Sequence, residues 1–415
     1  MMVANISLTN LLLLEYGYSG TISGLISSMS SLGFVIFLIL WHDRVKSFRK
    51  HVIIRKMKMV SLICSAFYFF PLTNPAFVFL IGFIRLIDGG MAGLYWPLVQ
   101  EYTNFTSRVS PQENSKFTMN YNFSWNIGLF GGMFLGFGTT YLWRTDAIGL
   151  ILNAIAALCM YLISRKISPL PEHIPSNGQI EIKETISKGL KAPILEKTQE
   201  TRPNTSISRT QENGPKVLEI EGVGAKVLSL PVLLICCLLL THSLSDGAYN
   251  ILFPVKTAQI GVLSHWVYFL FFVKYIAQMV GTTLFSRANI HRILHRFLLL
   301  PCGIFLGWIF LSFGENLIFI SLTLVFLGFL QGSMYASGMR IITQKNMALD
   351  EGTIRSGFYY FQITMGSGRM AGPLVLGILS DISLIAIYVF QLSFILFMLL
   401  IVGTFFVQKW VRKTL

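Results

Sequence analysis

The sequence predicts an all-α protein that crosses a membrane many times. The chain has 415 residues, of which 53% are hydrophobic and only 13% are charged, and its mean hydropathy is +0.62. Apolar residues in this proportion exceed what the core of one soluble domain absorbs. They also recur in long runs that are separated by short polar or basic segments. These observations place the chain among polytopic membrane proteins.

The individual helices follow from the lengths of the apolar runs, because a bilayer core about 30 Å thick needs roughly 20 apolar residues per helix. Such runs occur at 20–41, 54–72, 76–99, 117–141, 145–164, 227–253, 263–286, 293–313, 317–340, 354–379 and 382–407. The first residues, VANISLTNLLLLEYG, are apolar but too few to cross. We therefore expect an incomplete first helix and a chain that starts late, with roughly a dozen further apolar residues encoded upstream.

A polar segment divides the apolar runs into two groups. Residues 165–226 are rich in Glu, Lys, Pro, Ser and Thr and contain no Phe, Trp or Tyr. Such a composition cannot bury enough apolar surface to fold alone. The predicted domains are an N-terminal transmembrane bundle, a disordered linker, a C-terminal six-helix bundle and a basic tail, at 1–164, 165–226, 227–408 and 409–415.

The distribution of basic residues predicts the orientation in the membrane. The net charge is +14, and alternate loops carry it: 43–58, the linker, 286–296 and 409–413 are basic, whereas 72–75 and 313–316 have no Lys or Arg. Excess Lys and Arg mark cytoplasmic loops. We predict a multi-pass protein of the plasma membrane with a cytoplasmic linker and C-terminus, and no nucleic-acid partner.

Four stretches of the first half align, in the same order, with stretches of the second. DGGMAGLYWPLVQEY (88–102) aligns with QGSMYASGMRIITQK (331–345), and WHDR with LFSR, both at an offset of 243 residues. NIGLFGGMFLGFG aligns with GSGRMAGPLVLGI, and LTNLLLL with AYNILFP, at an offset of 240. The pattern predicts two six-helix bundles related by a pseudo-twofold axis.

Two short motifs carry a resemblance to a known family. The segment LWHDRVKSFRK supplies Asp43 and Arg44 before further basic residues, and RLIDGG supplies Arg85 and Gly89 with Asp88 where Gln is usual. The chain resembles, over nearly its whole length, the major facilitator superfamily of secondary transporters. The resemblance implies that substrate binds near the midplane between the halves, and that a gate at Asp43 and Arg44 forms and breaks during alternating access.

Charged residues at bilayer depth indicate where the substrate binds. Each costs roughly 2.5 to 3.5 kcal/mol on insertion scales, so such charges persist where they face a cavity or one another. Arg85, Asp88, Lys274 and Arg369 are mid-helix, and Asp246 is in the outer part of the seventh helix. Arg85 and Asp88, one helical turn apart, are either a structural pair or part of a cavity. Three cations against two anions favour a cavity in which an arginine or lysine meets an anionic group of the substrate.

The predicted function is secondary active transport of a small, anionic solute by alternating access, with a proton carried by Asp88 or Asp246. A facilitative uniporter and a non-transporting receptor or scaffold are the alternatives. No enzyme activity, cofactor or metal site is predicted, and we expect a monomer in the lipid bilayer. The predicted substrate-binding and coupling residues are Arg85, Asp88, Trp96, Asn122, Trp125, Asn126, Asp246, Lys274, Gln331 and Arg369.

Overall fold

The computed structural model describes residues 2–45, 50–109, 114–167, 232–287, 290–347 and 351–414. Side chains at several helix ends lie outside this description, among them those of Asp43, Arg44, Asn122 and Trp125. Nearly all of the predicted linker 165–226 also lies outside it, as do the side chains of the tail 409–415. The predicted gate and linker are therefore not tested.

Twelve helices make up the described part of the chain. Helix α1 comprises Met2–Asn10 and a π-helical turn, Leu11–Glu15. The others are α2 (Gly20–Val45), α3 (Lys50–Phe67), α4 (Pro75–Val109), α5 (Asn114–Trp143), α6 (Ala147–Ser164), α7 (Val232–Gln259), α8 (His265–Arg287), α9 (Ile290–Ser312), α10 (Leu317–Met347), α11 (Glu351–Ile382) and α12 (Leu384–Thr414). Each contains most of one predicted run. Several extend past it, because backbone hydrogen bonding continues beyond the apolar part of the sequence.

The outer surface of the bundle is apolar, as a lipid-facing surface must be. Exposed side chains such as Phe134 (58%), Leu322 (65%) and Ile318 (75%) lie on several helices. Six of the described helices combine the length and hydropathy needed to cross a membrane. Helix α1 is short, as predicted, and it is almost fully buried among its neighbours instead of facing outward.

Equivalent helix crossings relate the two halves. Helix α2 crosses α4 in the first half as α8 crosses α10 in the second, and a glycine sits at each contact. A Cβ atom would lie 1.8 Å from Ser30 O at Gly89 and 2.0 Å from Gln278 O at Gly332. Ser30 and Gln278 are 248 residues apart, so WHDR and LFSR, aligned at 243, are out of register by five.

The two halves meet where α2 packs against α11 and α5 against α8. A Cβ atom at Gly24 would lie 2.3 Å from Pro373 O, and one at Gly136 would lie 2.6 Å from the Tyr268 ring. Both contacts extend toward the end of the bundle where α2 and α8 begin and α5 and α11 end. We call this end the seam end. Close helix contact there holds the halves together beside the cavity described next.

Candidate functional site

A cavity of about 150 Å³ lies between the two halves. Its wall combines residues of α1, α2, α4 and α5 from the first half with residues of α7, α10 and α11 from the second. The charged residues of this wall are Arg85, Asp246 and Arg369. A ligand in this position contacts both halves at once, which is where a substrate must bind if the halves move relative to each other.

Arg85 projects from α4 toward α1 and α2. Its Nε donates a hydrogen bond to Ile26 O (3.1 Å), and its Nη2 donates to Asn5 Oδ1. Ser27 Oγ donates to the same Asn5 oxygen (3.1 Å), which fixes the amide in place. The guanidinium is therefore oriented by neutral oxygens, at 3% exposure.

Asp88 forms its hydrogen bond with α3, whereas Arg85 bonds to α1 and α2, and this bears on the two interpretations of the RLIDGG motif. Its Oδ2 accepts a hydrogen bond from Tyr68 of α3 (2.9 Å), and its Oδ1 has no hydrogen-bond partner among the described residues. Among those residues, no carboxylate lies within ion-pair distance of Arg85. Arg85 and Asp88 therefore do not form an ion pair, which argues against the structural-pair interpretation, and of the two only Arg85 is among the described lining residues of the cavity.

Asp246 lies in the middle of α7, not in its outer part as predicted. Its Oδ1 accepts from Lys274 Nζ, and its Oδ2 accepts from Arg369 Nε (3.0 Å) and Nη2 (2.9 Å). Lys274 is fully buried beside the rings of Tyr249 and Tyr275, 5.0 and 4.3 Å from its Nζ. Lys274 therefore lies behind the cavity wall, which corrects its predicted place in the lining, whereas Arg369 remains 29% exposed in the wall.

The charges of the wall do not balance. Arg85 and Arg369 approach the cavity from opposite halves, and Asp246 is the one carboxylate among the described lining residues. Asp246 also compensates the buried Lys274. A low-dielectric cavity with two guanidinium groups and a shared carboxylate favours an anionic ligand group, because a guanidinium presents a planar set of donors to a carboxylate or phosphate.

The other predicted residues divide into two groups. Trp96 lines the cavity. Asn126 and Gln331 are buried, at 2% and 0% exposure, and are not among the lining residues. Gln331 Nε2 donates to Tyr249 OH (3.1 Å), so it belongs to the packing of the second half.

Several lining residues were not predicted. They are the amides Asn5, Asn250 and Gln362, the serines of α2 and the aromatic residues Phe34, Tyr335 and Phe361. The amides and serines interrupt apolar runs, and this signal was available in the sequence. The aromatic residues gave no such signal, because the same residue types pack helices throughout the chain.

Comparisons with known proteins agree with this architecture. The family profile described as Major Facilitator Superfamily matches residues 1–361. No curated protein matches the chain. A solved structure of the nucleoside transporter NupG is similar with a TM-score of 0.62 and 12% sequence identity, over 98% of this chain and 97% of that one. An aspartate-to-alanine mutant of NupG is similar with a TM-score of 0.58 and 12% identity, over 96% of each chain.

Proposed function

The chain belongs to the major facilitator superfamily, and on that premise we propose that it is a secondary active transporter of a small anionic solute. Alternating access exposes the cavity between the halves to one side of the membrane at a time. The observation that carries the proposal is the convergence of Arg85 and Arg369, from opposite halves, on a wall with a single described carboxylate. An anionic group between them contacts both halves, so its binding is sensitive to their relative position.

The remaining wall supports a solute with an apolar or aromatic body. Trp96, Tyr335 and Phe361 offer ring surfaces, and Asn5 and Gln362 offer hydrogen bonds. Aromatic carboxylates and nucleoside monophosphates have both features. A neutral nucleoside is the second candidate, favoured by the same rings and amides, and it also belongs to the ligand class named for the structural neighbours.

Proton coupling is proposed through Asp88. Asp246 is held between two cations, whereas Asp88 has one oxygen without a hydrogen-bond partner and lies one helical turn from Arg85. Protonation of Asp88 removes a negative charge near Arg85 and so strengthens the attraction of Arg85 for an anion. By linkage, the anion strengthens proton binding equally, which is the requirement for symport.

Ligand-dependent thermal stability identifies the solute class, because a ligand that binds only the folded state raises the melting temperature. Purified full-length protein is screened with matched pairs, such as a nucleoside and its monophosphate, or an aromatic carboxylate and its amide. The proposal expects stabilisation by the anionic member of each pair. Stabilisation by the neutral member alone supports the second candidate.

Uptake into proteoliposomes then tests transport and coupling. An inward proton gradient is expected to accelerate uptake of the anion, and Asp88→Asn is expected to remove that acceleration. Uptake that is insensitive to the gradient indicates a facilitative uniporter. A ligand that binds without being taken up indicates a receptor.

A further inference from the structure

Asp381 ties the two halves together at the seam end. This residue, at the end of α11, accepts hydrogen bonds from the first turn of α2: from Gly20 N (2.6 Å), Thr21 N (2.9 Å) and Thr21 Oγ1 (2.6 Å). The first amides of a helix have no partner within it, and a carboxylate that accepts from them is stabilising. Asp381 is therefore a cap supplied by one half to a helix of the other.

Asp146 is a second carboxylate at the seam end, and it belongs to the first half. It lies in the loop between α5 and α6, outside both helices, with no exposed surface. Its Oδ1 accepts a hydrogen bond from Asn10 Nδ2 (3.0 Å), and its backbone N–H donates to Glu15 Oε1 (3.0 Å). Ser264 and Tyr268 of the second half lie beside the carboxyl group. Asp146 is thus enclosed by residues of both halves.

The Asp146 carboxyl group has no positive partner in this enclosure. Among the described residues, no Lys or Arg lies within ion-pair distance of it, and its Oδ2 has no hydrogen-bond partner of normal geometry. Burial raises the pKa of Asp146 to about 6, against the opposing effect of its polar neighbours Asn10 and Ser264. A carboxyl group in such surroundings binds a proton more tightly than one in water.

The surroundings of Asp381 shift its pKa in the opposite direction. Slight burial raises its pKa, but the hydrogen bonds from Thr21 and Gly20 outweigh this effect and lower the pKa below its ordinary value. Asp381 therefore remains charged in the pH range where Asp146 titrates. At the same end of the molecule, Asp381 therefore makes a contact that does not change with pH, and Asp146 makes a contact that does.

We propose that Asp146 is a proton-binding site in the seam between the halves, and that a proton bound there favours closure of the seam end. The proposal rests on the alternating access of the proposed function, but not on the substrate or on Asp88. It adds a second protonation site, remote from the cavity wall, that responds to the solution on one side of the membrane.

The direction of the pH effect follows from where the proton is held more tightly. The pKa of Asp146 in the closed seam is about 6, whereas an aspartate exposed to water by opening has a pKa of about 3.9. The difference corresponds to a proton affinity roughly 100-fold higher in the closed seam. The stabilisation of the closed state is therefore present at low pH and is lost as the pH rises through about 6.

The other titratable groups around Asp146 are few. Glu15 at the end of α1 and Tyr268 on α8 face it directly. Arg144, in the same loop, is close enough to His265 of α8 to interact with it electrostatically. His265 is a titratable side chain close to this loop, packed against the rings of Phe137 and Tyr141, so it is the group that a test must separate from Asp146.

The distance between the halves at the seam end tests the proposal without a substrate. Spin labels are attached through Leu142→Cys and Leu263→Cys, at sites 71% and 64% exposed on opposite halves. They are placed in a full-length chain whose native cysteines are replaced by serine. Double electron–electron resonance in lipid nanodiscs from pH 4.5 to 8 is expected to show the closed-to-open ratio falling about tenfold or more, with a midpoint between about pH 5 and 6.

Variants assign that response to Asp146. Asp146→Asn, which mimics the protonated group, is expected to keep the seam closed at every pH. Tyr268→Phe removes a hydroxyl that lowers the pKa of Asp146, so the midpoint is expected to rise. His265→Gln and Glu15→Gln are expected to retain the pH response. A response that persists in Asp146→Asn, or disappears in His265→Gln, overturns the proposal.

The variant Asp381→Ala distinguishes a failure of the Asp146 proposal from a failure of the alternating-access proposal on which it rests. Loss of that cap is expected to populate the longer distance at every pH. If Asp381→Ala opens the seam but pH does not, the Asp146 proposal alone fails. If neither the variant nor pH lengthens the distance, the seam does not open, and alternating access fails with it.

Discussion

Arg85 is held in position by oxygens that carry no charge. Asn5 Oδ1 and Ile26 O accept its hydrogen bonds, so the guanidinium is oriented without being neutralised. A buried cation without a carboxylate in direct contact is costly, and an anion that reaches it recovers part of the cost. Asn5 is therefore a positioning residue for Arg85, and together the two form the most specific feature of the cavity wall.

Replacement of Arg85 by lysine tests whether the guanidinium itself recognises the solute. Arg85 bonds Ile26 and Asn5 through two different nitrogens of a planar guanidinium, and an ammonium, whose donors all lie on one atom, does not reproduce that geometry while also facing a ligand. We expect Arg85→Lys to weaken solute binding by about tenfold or more, since a lost charge-assisted hydrogen bond is worth roughly 1.5 to 3 kcal/mol. Ligand-induced thermal shifts and uptake rates measure the loss.

The matched control is Arg340→Lys. Arg340 is a half-buried arginine of α10 outside the cavity lining, and it is expected to tolerate the change without loss of solute affinity. If neutral substitutions at Arg85, Lys274 and Arg369 all leave affinity and rate unchanged, the anionic-solute proposal is wrong.

Asp246 supports a different prediction, on stability. Asp246→Asn leaves Lys274 fully buried without its counter-ion, and breaking a buried pair in this way costs about 3 to 5 kcal/mol. The double variant Asp246→Asn with Lys274→Met removes both charges and is expected to recover most of that loss. Thermal unfolding of the single and double variants in detergent measures the coupling. Additive losses would show that the two residues do not interact.

At the scale of helices, glycines decide how closely the elements approach. The α2–α4 crossing places Gly89 against the Ser30 backbone, and the α8–α10 crossing places Gly332 against the Gln278 backbone. Small residues at such contacts allow helices to pack closely in a membrane. Gly128 and Gly131 of α5, which belong to one of the aligned repeats, instead have open space where a Cβ would lie.

Alanine at Gly89 is expected to destabilise the protein, because its Cβ would lie 1.8 Å from a backbone oxygen that cannot rotate away. Overpacking of this kind costs about 1 to 3 kcal/mol. Gly128→Ala, where nothing lies within 4 Å, is the control and should stabilise slightly, because alanine favours helix by up to about 1 kcal/mol over glycine. Thermal unfolding of both variants compares them. Equal melting temperatures would show that the crossing tolerates a methyl group.

The helices themselves were predictable because hydropathy is a local property. A run of apolar residues must become a helix in a bilayer, since no other backbone satisfies its own hydrogen bonds there. Side chains such as Asn5 and Asn250 were not predicted as site residues, because their role depends on which helices surround them. A polar residue within an apolar run indicates a functional position, but it does not show which residues of other helices it contacts.

For the whole molecule, the structure combines a closely packed seam end with a cavity between the halves. Cross-half contacts at Gly24, Gly136, Asp146 and Asp381 all lie at or toward that end. The distribution of basic loops predicts that this end faces away from the cytoplasm. That prediction determines whether Asp146 responds to the pH outside the cell or to the pH of the cytoplasm.

Cysteine labelling tests the orientation. In a chain whose native cysteines are replaced by serine, Leu263→Cys at the seam end is expected to react with a membrane-impermeant maleimide in intact cells. Lys166→Cys, an exposed position at the opposite end, is expected to react only after permeabilisation. The reverse pattern would place the seam end in the cytoplasm and would reverse the side to which Asp146 responds.

The sequence by itself determined the helical membrane fold, the division into two related halves, and the presence of charges at bilayer depth, because each depends on composition within a single run or on repetition along the chain. Only the tertiary structure decided which charges meet. Asp246 bonds to Lys274 and Arg369, 28 and 123 residues away, and Asp146 bonds to Asn10, 136 residues away. Arg85 and Asp88, one turn apart, turn instead toward different neighbouring helices. The physical reason is that helical periodicity sets the approximate face of a residue, whereas the partner within hydrogen-bond reach is set by the helix packed against that face.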